Sequence, residues 1–282
     1  MTKDVQNKLV DWHQVWKSMM ENCSLVAVEQ GTMKQWTVSE AEEFLKNAGE
    51  QYVKEVMTKI NVTSNDTVLD VGCGPGRLTI PLAKIAKSVT AVDLSKGMLE
   101  VAKRRAKEEG LDNITFVNKF WRETKIGKDI KPEYDVTVAS NAINLLGSKE
   151  TQSNGKTVLD WNLAETLHKI DSVGKTNYLT MSVLHHKDCS QIFDVIGKKY
   201  QPFPNYIVVH NILHQMSIKP RIEYFLTFCK KHSKPERVLK RIEWFCNINP
   251  EEKERVKQKL LNSKVNTNSG LQMWALMSWQ NN

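Results

Sequence analysis

The sequence predicts an α/β fold built on a parallel sheet, and three observations support this. Strand-like and helix-like segments alternate between residues 67 and 140, which is the pattern of successive strand–helix–strand units. The apolar run at 67–71 is typical of a strand buried on both faces. A glycine-rich turn then leads from that strand into a helix, within V-L-D-V-G-C-G-P-G-R-L at 68–78.

Residues 1–60 are predicted to form a helical cap or lid, and residues 61–282 the main domain. An apolar stripe at helical spacing comprises Leu9, Trp12, Val15, Trp16 and Met19. Ser39 followed by Glu42 is a capping-box pattern that begins a second helix, and residues 51–60 predict a third.

The remaining elements follow from the same patterns. Strands are predicted at 67–71, 88–92, 114–117, 134–139, 178–184, 221–229 and 271–279. Helices are predicted at 77–86, 96–109, 158–171, 206–216, 234–245 and 250–262. Residues 148–156 are predicted to be a polar loop, because the regular alternation loosens beyond residue 140.

Composition and charge bound the possible partners. The 282 residues are 40% hydrophobic and 26% charged, which is ordinary for a globular protein. The net charge of +8 permits nucleic acid as a partner but does not favour it, because acids lie among the lysines, as at 102–109. No apolar run reaches the roughly 18 residues that a membrane span needs, so we expect no membrane partner.

The cysteines and the first residues indicate a cytoplasmic protein. The N-terminus is polar and lacks the apolar segment of a secretory signal. The five cysteines are scattered and form no C-x-x-C pair, so we expect neither a disulfide framework nor a zinc knuckle. Both observations are typical of a reducing compartment.

The glycine-rich turn predicts a ligand site, and its details narrow the ligand. No G-K-[ST] follows the turn, which excludes a P-loop. Arg77 stands where a dinucleotide site needs its third glycine, and a dehydrogenase is therefore disfavoured. Asp70 precedes the turn, where a carboxylate would repel a pyrophosphate but suits an ammonium or sulfonium group.

Three segments together resemble the successive motifs of class I S-adenosylmethionine-dependent methyltransferases: D-V-G-C-G-P-G at 70–76, A-V-D-L-S at 91–95 and N-I-T-F-V at 113–117. The resemblance implies a Rossmann-like, mixed seven-stranded sheet with helices on both faces. In that family the last strand is antiparallel, and residues 271–279 fit its place. The implied cofactor is S-adenosylmethionine, with S-adenosylhomocysteine as the product.

The resemblance also implies a set of cofactor-binding residues. The glycine-loop backbone and Asp70 would face the methionine moiety, Asp93 would hold the ribose, and Leu94 and Met98 would flank the adenine. The full set is Asp70, Gly72, Cys73, Gly74, Gly76, Asp93, Leu94, Met98, Phe120, Trp121 and Ser140.

One departure from the family pattern concerns the adenine. Phe120 and Trp121 stand where members often carry an acid for the adenine amino group. They are predicted either to contact adenine or to be core residues, and Glu123 or Asn118 could take the acid's place.

The acceptor site is expected at the carboxyl ends of the strands. S-N-A-I-N at 140–144 ends the fourth strand and makes Asn141 a candidate near the transferred methyl, with an Asx-capped turn as the alternative. His185 and His186 follow the fifth strand and are candidate catalytic bases. The segment at 140–144 is not the N/D-P-P-Y motif of amino-directed nucleic-acid methyltransferases.

Two further groups have competing interpretations. Trp12, Trp16, Trp36 and Tyr52 could cage an acceptor, although core packing of the amphipathic N-terminal helix is the favoured interpretation. His210 and His214 lie one helical turn apart, and with Cys189 and the His185 pair they could bind a metal. No metal site is predicted, because solvated or paired histidines explain the same pattern.

The sequence as a whole predicts in-line methyl transfer to a small-molecule acceptor, with residues 185–265 contributing to a cap over it. The alternatives are an RNA or protein methyltransferase that uses the basic surface, and a non-catalytic protein that binds S-adenosylmethionine. The acceptor, the methylated atom, the need for a base and the oligomeric state stay open.

Overall fold

A computed structural model describes residues 10–24, 28–29, 32–33, 35–47, 49–183, 193–228, 239, 248–262 and 271–281. The helices are α1 (Trp12–Glu21), α2 (Val38–Asn47), α3 (Glu50–Met57), α4 (Thr79–Ala83), α5 (Lys96–Glu108), α6 (Ile143–Leu146), α7 (Leu163–Val173), α8 (Tyr206–Gln215) and α9 (Pro250–Asn262). Within these ranges no helix has both the length and the apolar character needed to cross a bilayer.

The strands are β1 (Val28–Glu29), β2 (Thr32–Met33), β3 (Thr67–Val71), β4 (Ser88–Asp93), β5 (Ile114–Asn118), β6 (Tyr134–Ser140), β7 (Ser148–Ser153), β8 (Lys156–Trp161), β9 (Gly174–Ser182), β10 (Arg221–Phe228) and β11 (Leu271–Gln280). Seven of them form the central sheet, in the order β10-β11-β9-β6-β3-β4-β5. In this sheet β11 runs in the direction opposite to the other six strands. The predicted mixed sheet with an antiparallel last strand is confirmed.

The sheet is buried on both faces because its central strands carry apolar residues on both sides. Leu69 and Val71 point into a cluster that contains Trp16 of α1 and Leu167 of α7. Val68, the intervening residue, points to the other face and joins the cluster formed with α3 and α4. These two layers of helices cover both faces of the central strands.

The order of the strands places the ligand crevice. After β3 the chain adds β4 and β5 on one side, and it then returns to place β6 against the other side of β3. The connections therefore diverge at the carboxyl ends of β3 and β6. In open α/β sheets this reversal point is where ligands bind.

The N-terminal helices are distributed over the sheet and do not pack as one body. Helix α1 packs in the cluster with α7 and α8, and α3 packs on the opposite face. The start of α2 lies so close to α5 that a Cβ on Gly97 would be 2.2 Å from the carbonyl oxygen of Trp36. The division into a cap at 1–60 and a domain at 61–282 stays a prediction.

A hairpin replaces the loop and part of the helix predicted after β6. Strands β7 and β8 pair antiparallel from 148 to 161, around Asn154 and Gly155 with φ of 51° and 72°. Two successive positive φ values are typical of the tight turn that closes such hairpins. Helix α7 begins only at Leu163, because the Asn162 side chain accepts a hydrogen bond from the Glu165 amide. The predicted loop at 148–156 and helix start at 158 are therefore wrong.

Candidate active site

The glycine loop joins β3 to α4 at the crevice. Gly72, Gly74 and Gly76 have φ of 73°, 54° and 79°, which other residues adopt only with strain. A Cβ on Gly72 would lie 2.5 Å from the Cβ of Ala142, so the loop packs tightly against the segment that follows β6. At Gly74 no atom lies within 4 Å of the corresponding position. The crest of the loop therefore faces open space, and a ligand can reach its backbone.

Asp93 lies at the end of β4, beside this crest. Its two carboxylate oxygens accept hydrogen bonds from the amides of Gly74 and Ser95, each at 2.8 Å. Burial raises the pKa of Asp93, and these two hydrogen bonds act against that increase. Because a carboxylate offers about four lone-pair positions, Asp93 keeps the capacity to accept two hydroxyl groups from a ligand.

Asp70 is the most deeply buried acid of the site, with 1% of its surface exposed. The Thr79 hydroxyl of α4 donates to its carboxylate at 2.6 Å. Burial, with a smaller contribution from Asp93, raises the pKa of Asp70 to about 7. No sequence pattern predicts Thr79 here, because only the fold brings it against a residue nine positions earlier.

A cluster of hydroxyl groups lies at the carboxyl ends of β6 and β9. The Tyr52 hydroxyl of α3 is hydrogen-bonded to the Ser140 hydroxyl at 2.7 Å and also to the Thr180 hydroxyl. Burial raises the pKa of Tyr52, so its phenol stays protonated. Sequence reasoning placed Ser140 here but missed Thr180 and this role of Tyr52.

Asn141 follows Ser140 and is exposed at the same edge. Its φ of 52° is left-handed, and its amide donates to the Thr180 carbonyl oxygen at 2.9 Å. The second asparagine, Asn144, accepts from the Trp16 indole at 3.0 Å and donates to the Pro204 carbonyl oxygen at 2.9 Å. Asn144 therefore ties α1 to this edge, whereas the Asn141 side chain stands at the surface of the site.

Arg77 completes the arrangement at the beginning of α4. Its guanidinium carbon lies 4.8 Å from the ring centre of Tyr52 and 5.8 Å from that of Phe44. Burial lowers the pKa of Arg77. Its Nε is buried and has no hydrogen-bond partner.

The comparison with known proteins identifies this arrangement. Residues 68–159 match the family described as a methyltransferase domain. The fold is similar to that of a Bacillus halodurans C-125 protein solved as a candidate methyltransferase, with a TM-score of 0.56 and 13% identity over 82% of this chain and 99% of that chain. The match and the shared fold support a class I S-adenosylmethionine-dependent methyltransferase. Its cofactor is S-adenosylmethionine.

The related sequences differ in what their names say they methylate. An uncharacterised Haemophilus influenzae protein is 28% identical over 81% of both chains. A 23S rRNA (uracil(1939)-C(5))-methyltransferase of Aliivibrio fischeri is 30% identical over 35% of this methyltransferase and 24% of its own length. A Methanocaldococcus jannaschii protein named as a cobalt-precorrin-6B C(15)-methyltransferase is 35% identical over 27% and 44%. This methyltransferase thus spans about a quarter of the rRNA enzyme and under half of the precorrin enzyme.

The residues of the methyltransferase fit the cofactor. The open crest at Gly74 leaves room beside the loop backbone, and the free lone pairs of Asp93 suit two ribose hydroxyls. Asp70 places an acid behind the loop, where a positively charged methionine moiety stabilises its ionised form. Cys73 is a small buried residue within the same loop.

The structure separates the predicted adenine residues. Trp121 is 2% exposed, and its indole donates to the Thr166 carbonyl oxygen, so it is a core residue and its assignment to adenine is wrong. Phe120 and Leu94 are only partly buried and stay candidates. Met98 is buried against Ala41 of α2. Among the alternatives, Asn118 donates to the carbonyl oxygens of Asp93 and Leu94 and shapes the turn after β4.

The aromatic residues of the N-terminal region pack in different places. The ring centre of Trp16 lies 6.1 Å from that of Trp161, and the ring centre of Trp36 lies 5.6 Å from that of Phe44. The ring centre of Tyr52 lies 4.5 Å from that of Trp274. They do not converge on one cage, so the core-packing interpretation is the correct one.

The histidines provide no metal site in the part of the chain that is described. The rings of His210 and His214 are 4.4 Å apart on α8. No group of three or more potential metal ligands occurs among the described residues. His185, His186 and Cys189 lie outside them, so the proposed catalytic role of the two histidines stays a prediction.

Proposed function

We propose that this methyltransferase transfers a methyl group to a small-molecule acceptor by in-line displacement. The observation that supports it most directly is the cover over the carboxyl ends of β6 and β9. Tyr52 brings α3 onto Ser140 from one face of the sheet, and Trp16 brings α1 onto Asn144 from the other. A site covered from both faces suits a compact acceptor better than an extended polymer.

Methyl transfer from S-adenosylmethionine requires the protein mainly to align the cofactor with the acceptor. S-adenosylmethionine supplies a methyl group already activated by the positive sulfur. The glycine loop and Asp93 orient the cofactor, and the helices above the site exclude water. Holding two reactants in line in this way contributes on the order of 7 kcal/mol to lowering the barrier.

The catalytic residues follow from the acceptor edge. We propose Asn141, with its exposed side chain beside the carboxyl end of β6, as the residue that orients the acceptor. A base, for which His185 and His186 are the candidates, is required only when the acceptor atom must lose a proton of high pKa.

Two further proposals concern the region that covers the acceptor and the cellular compartment. The described parts of residues 185–265 include α8, which packs with α1, and α9, which forms a small separate core with Phe193 and Ile196. We propose that this region caps the acceptor. We also propose a reducing cytoplasmic compartment, which the scattered cysteines without a C-x-x-C pair support.

RNA is the second candidate acceptor. The net charge of +8 permits it, and the partial similarity to an rRNA methyltransferase supports it. If RNA is the acceptor, its binding should weaken steeply with added salt, because each neutralised phosphate releases counterions.

One experiment distinguishes the candidates. The protein is incubated with a cell extract and methyl-labelled S-adenosylmethionine, and the metabolite, RNA and protein fractions are then counted separately. We expect label in the metabolite fraction, and less of it when Asp93→Asn protein replaces the natural chain. Label confined to RNA or protein would overturn the small-molecule proposal, and no label in any fraction would favour a non-catalytic binding protein.

A further inference from the structure

Arg77 differs from Arg104, Arg105 and Arg122 because its guanidinium has neither an ion pair nor a hydrogen bond within the described chain. Arg104 pairs with Glu42 at 2.7 Å. Arg105 donates to the carbonyl oxygens of Pro75 and Gly76. Arg122, under the β7–β8 hairpin, is held by Asp160 and Glu165.

The surroundings of Arg77 make this lack of a partner costly. The guanidinium is half-buried and rests on the rings of Tyr52 and Phe44, which exclude water from its faces. Its Nε–H is buried without an acceptor. A desolvated cation with an unsatisfied donor destabilises a protein. The arrangement is therefore better explained by a ligand anion than by a contribution to stability.

The position of Arg77 indicates where in the site that anion would bind. Arg77 directly follows the glycine loop, and the Tyr52 ring beneath it carries the hydroxyl that bonds Ser140. The guanidinium thus stands between the loop that binds the cofactor and the edge that receives the acceptor. Two acids are hydrogen-bonded to the segment around Arg77, Asp93 to the Gly74 amide and Asp70 to the Thr79 hydroxyl. These acids would repel a doubly charged phosphate, which favours a singly charged anion.

We propose that Arg77 binds a carboxylate of a ligand in this site. The planar guanidinium can donate two parallel hydrogen bonds to such a group. Two sources have this chemistry: the amino-acid carboxylate of S-adenosylmethionine, and a carboxylate on the acceptor. The acceptor case rests on the proposed function, whereas the cofactor case requires only that the cofactor binds.

The test compares ligands with and without the carboxylate in the full chain and in Arg77→Gln protein. S-adenosylhomocysteine carries the carboxylate, and 5′-methylthioadenosine lacks it. Calorimetry should show S-adenosylhomocysteine binding weakened on the order of 10- to 100-fold in the variant, with 5′-methylthioadenosine binding unchanged. In a second arm, benzoate is titrated into protein saturated with S-adenosylhomocysteine. Benzoate binding that the variant loses, with cofactor affinities unchanged, assigns the carboxylate to the acceptor.

Three controls separate recognition from structure. Arg77→Lys should restore part of the affinity, because it keeps the charge but not the two-pronged geometry. Tyr52→Phe keeps the ring under the guanidinium and should keep the preference for the carboxylate ligand. Arg104→Gln removes a cation that also holds α2 and should change neither affinity.

Two outcomes overturn the proposal. Arg77→Gln could weaken both nucleoside ligands equally, which indicates a structural role in docking α3. It could also leave S-adenosylhomocysteine affinity and benzoate binding as in the natural chain. A failure of the small-molecule proposal looks different, because the label then appears in a polymer while the two nucleoside ligands still bind.

Discussion

The two ends of the strand pair β3–β6 carry the same residue type in opposite states. At the beginning of β6, the Asp135 carboxylate accepts hydrogen bonds from the Thr67 amide, the Thr67 hydroxyl and Lys175, all at 2.9 Å. These donors lower its pKa to about 2. At the end of β3, Asp70 has the Thr79 hydroxyl as its side-chain donor, and burial raises its pKa to about 7.

The contrast between Asp135 and Asp70 shows that the two ends of the strands serve different purposes, one stability and the other ligand binding. At the amino ends, polar groups are satisfied by the protein itself, so they stabilise the fold. At the carboxyl ends, Asp70 is short of donors and Arg77 is short of acceptors. Groups left in this state cost folding free energy, and they are available to a charged ligand.

The largest effect should come from Asp70. Its pKa is raised above the ordinary 3.8, so its contribution to stability is present below about pH 4 and is lost as the pH rises through about 7. In the natural protein, Asp70 should make the free energy of unfolding fall by up to about 4 kcal/mol across that range. We expect this fall to be absent in Asp70→Asn protein. Urea denaturation of ligand-free protein at a series of pH values measures this.

The difference between natural and variant protein isolates Asp70 from other groups. The lowered pKa values of His13 and His210 make stability rise with pH, and both proteins share that contribution. Parallel pH profiles for the two proteins would contradict the assignment.

Asp135→Asn should destabilise the fold without affecting the ligand site. We expect a loss of about 1 to 2 kcal/mol at neutral pH, moderated because the carboxylate is partly in water. The lowered pKa means that this contribution is present above about pH 4 and is lost as the pH falls through about 2. Denaturant melts measure the loss, and calorimetry should show unchanged affinity for S-adenosylhomocysteine. A weakened affinity would show that the two ends are not independent.

Asp93→Asn should weaken ligand binding and leave the stability of the fold nearly unchanged. Loss of the negative charge is expected to weaken S-adenosylhomocysteine binding about tenfold, which corresponds to about 1.4 kcal/mol. Asparagine keeps the shape of the side chain but can accept only one of the two hydrogen bonds from Gly74 and Ser95. Because it also removes a buried charge, the two effects oppose each other and the melting temperature should change little. Unchanged affinity in a folded variant would refute the ribose assignment.

The smallest expected effect is on stability and ligand affinity when either of two glycines is replaced by alanine. Gly74 and Gly110 have φ of 54° and 66°, and neither has an atom near its Cβ position. Alanine should cost each about 1 kcal/mol of stability through backbone strain. Only Gly74→Ala should weaken S-adenosylhomocysteine binding, because only its Cβ enters the crest of the cofactor loop. Equal binding by the two variants would show that the ligand does not approach Gly74.

Local patterns were enough to predict several parts of the fold. The strands from β3 to β6, the glycine loop and the acid at the end of β4 each leave a short, contiguous signal. The hairpin at 148–161 was missed, although Asn154-Gly155 is the turn signal that could have revealed it. Trp121 could not be assigned to core or ligand from its neighbours in sequence, because only the packing of α7 decides it.

The sequence by itself therefore determined the sheet, the cofactor and the residues of the loop that binds it, because these depend on neighbours within a few positions. Only the tertiary structure decided which groups face the site from a distance. Thr79 reaches Asp70, Tyr52 reaches Ser140 across 88 positions, and Arg77 rests on rings from two other helices. Such contacts are set by how helices pack across a sheet, and packing leaves no short pattern in the chain.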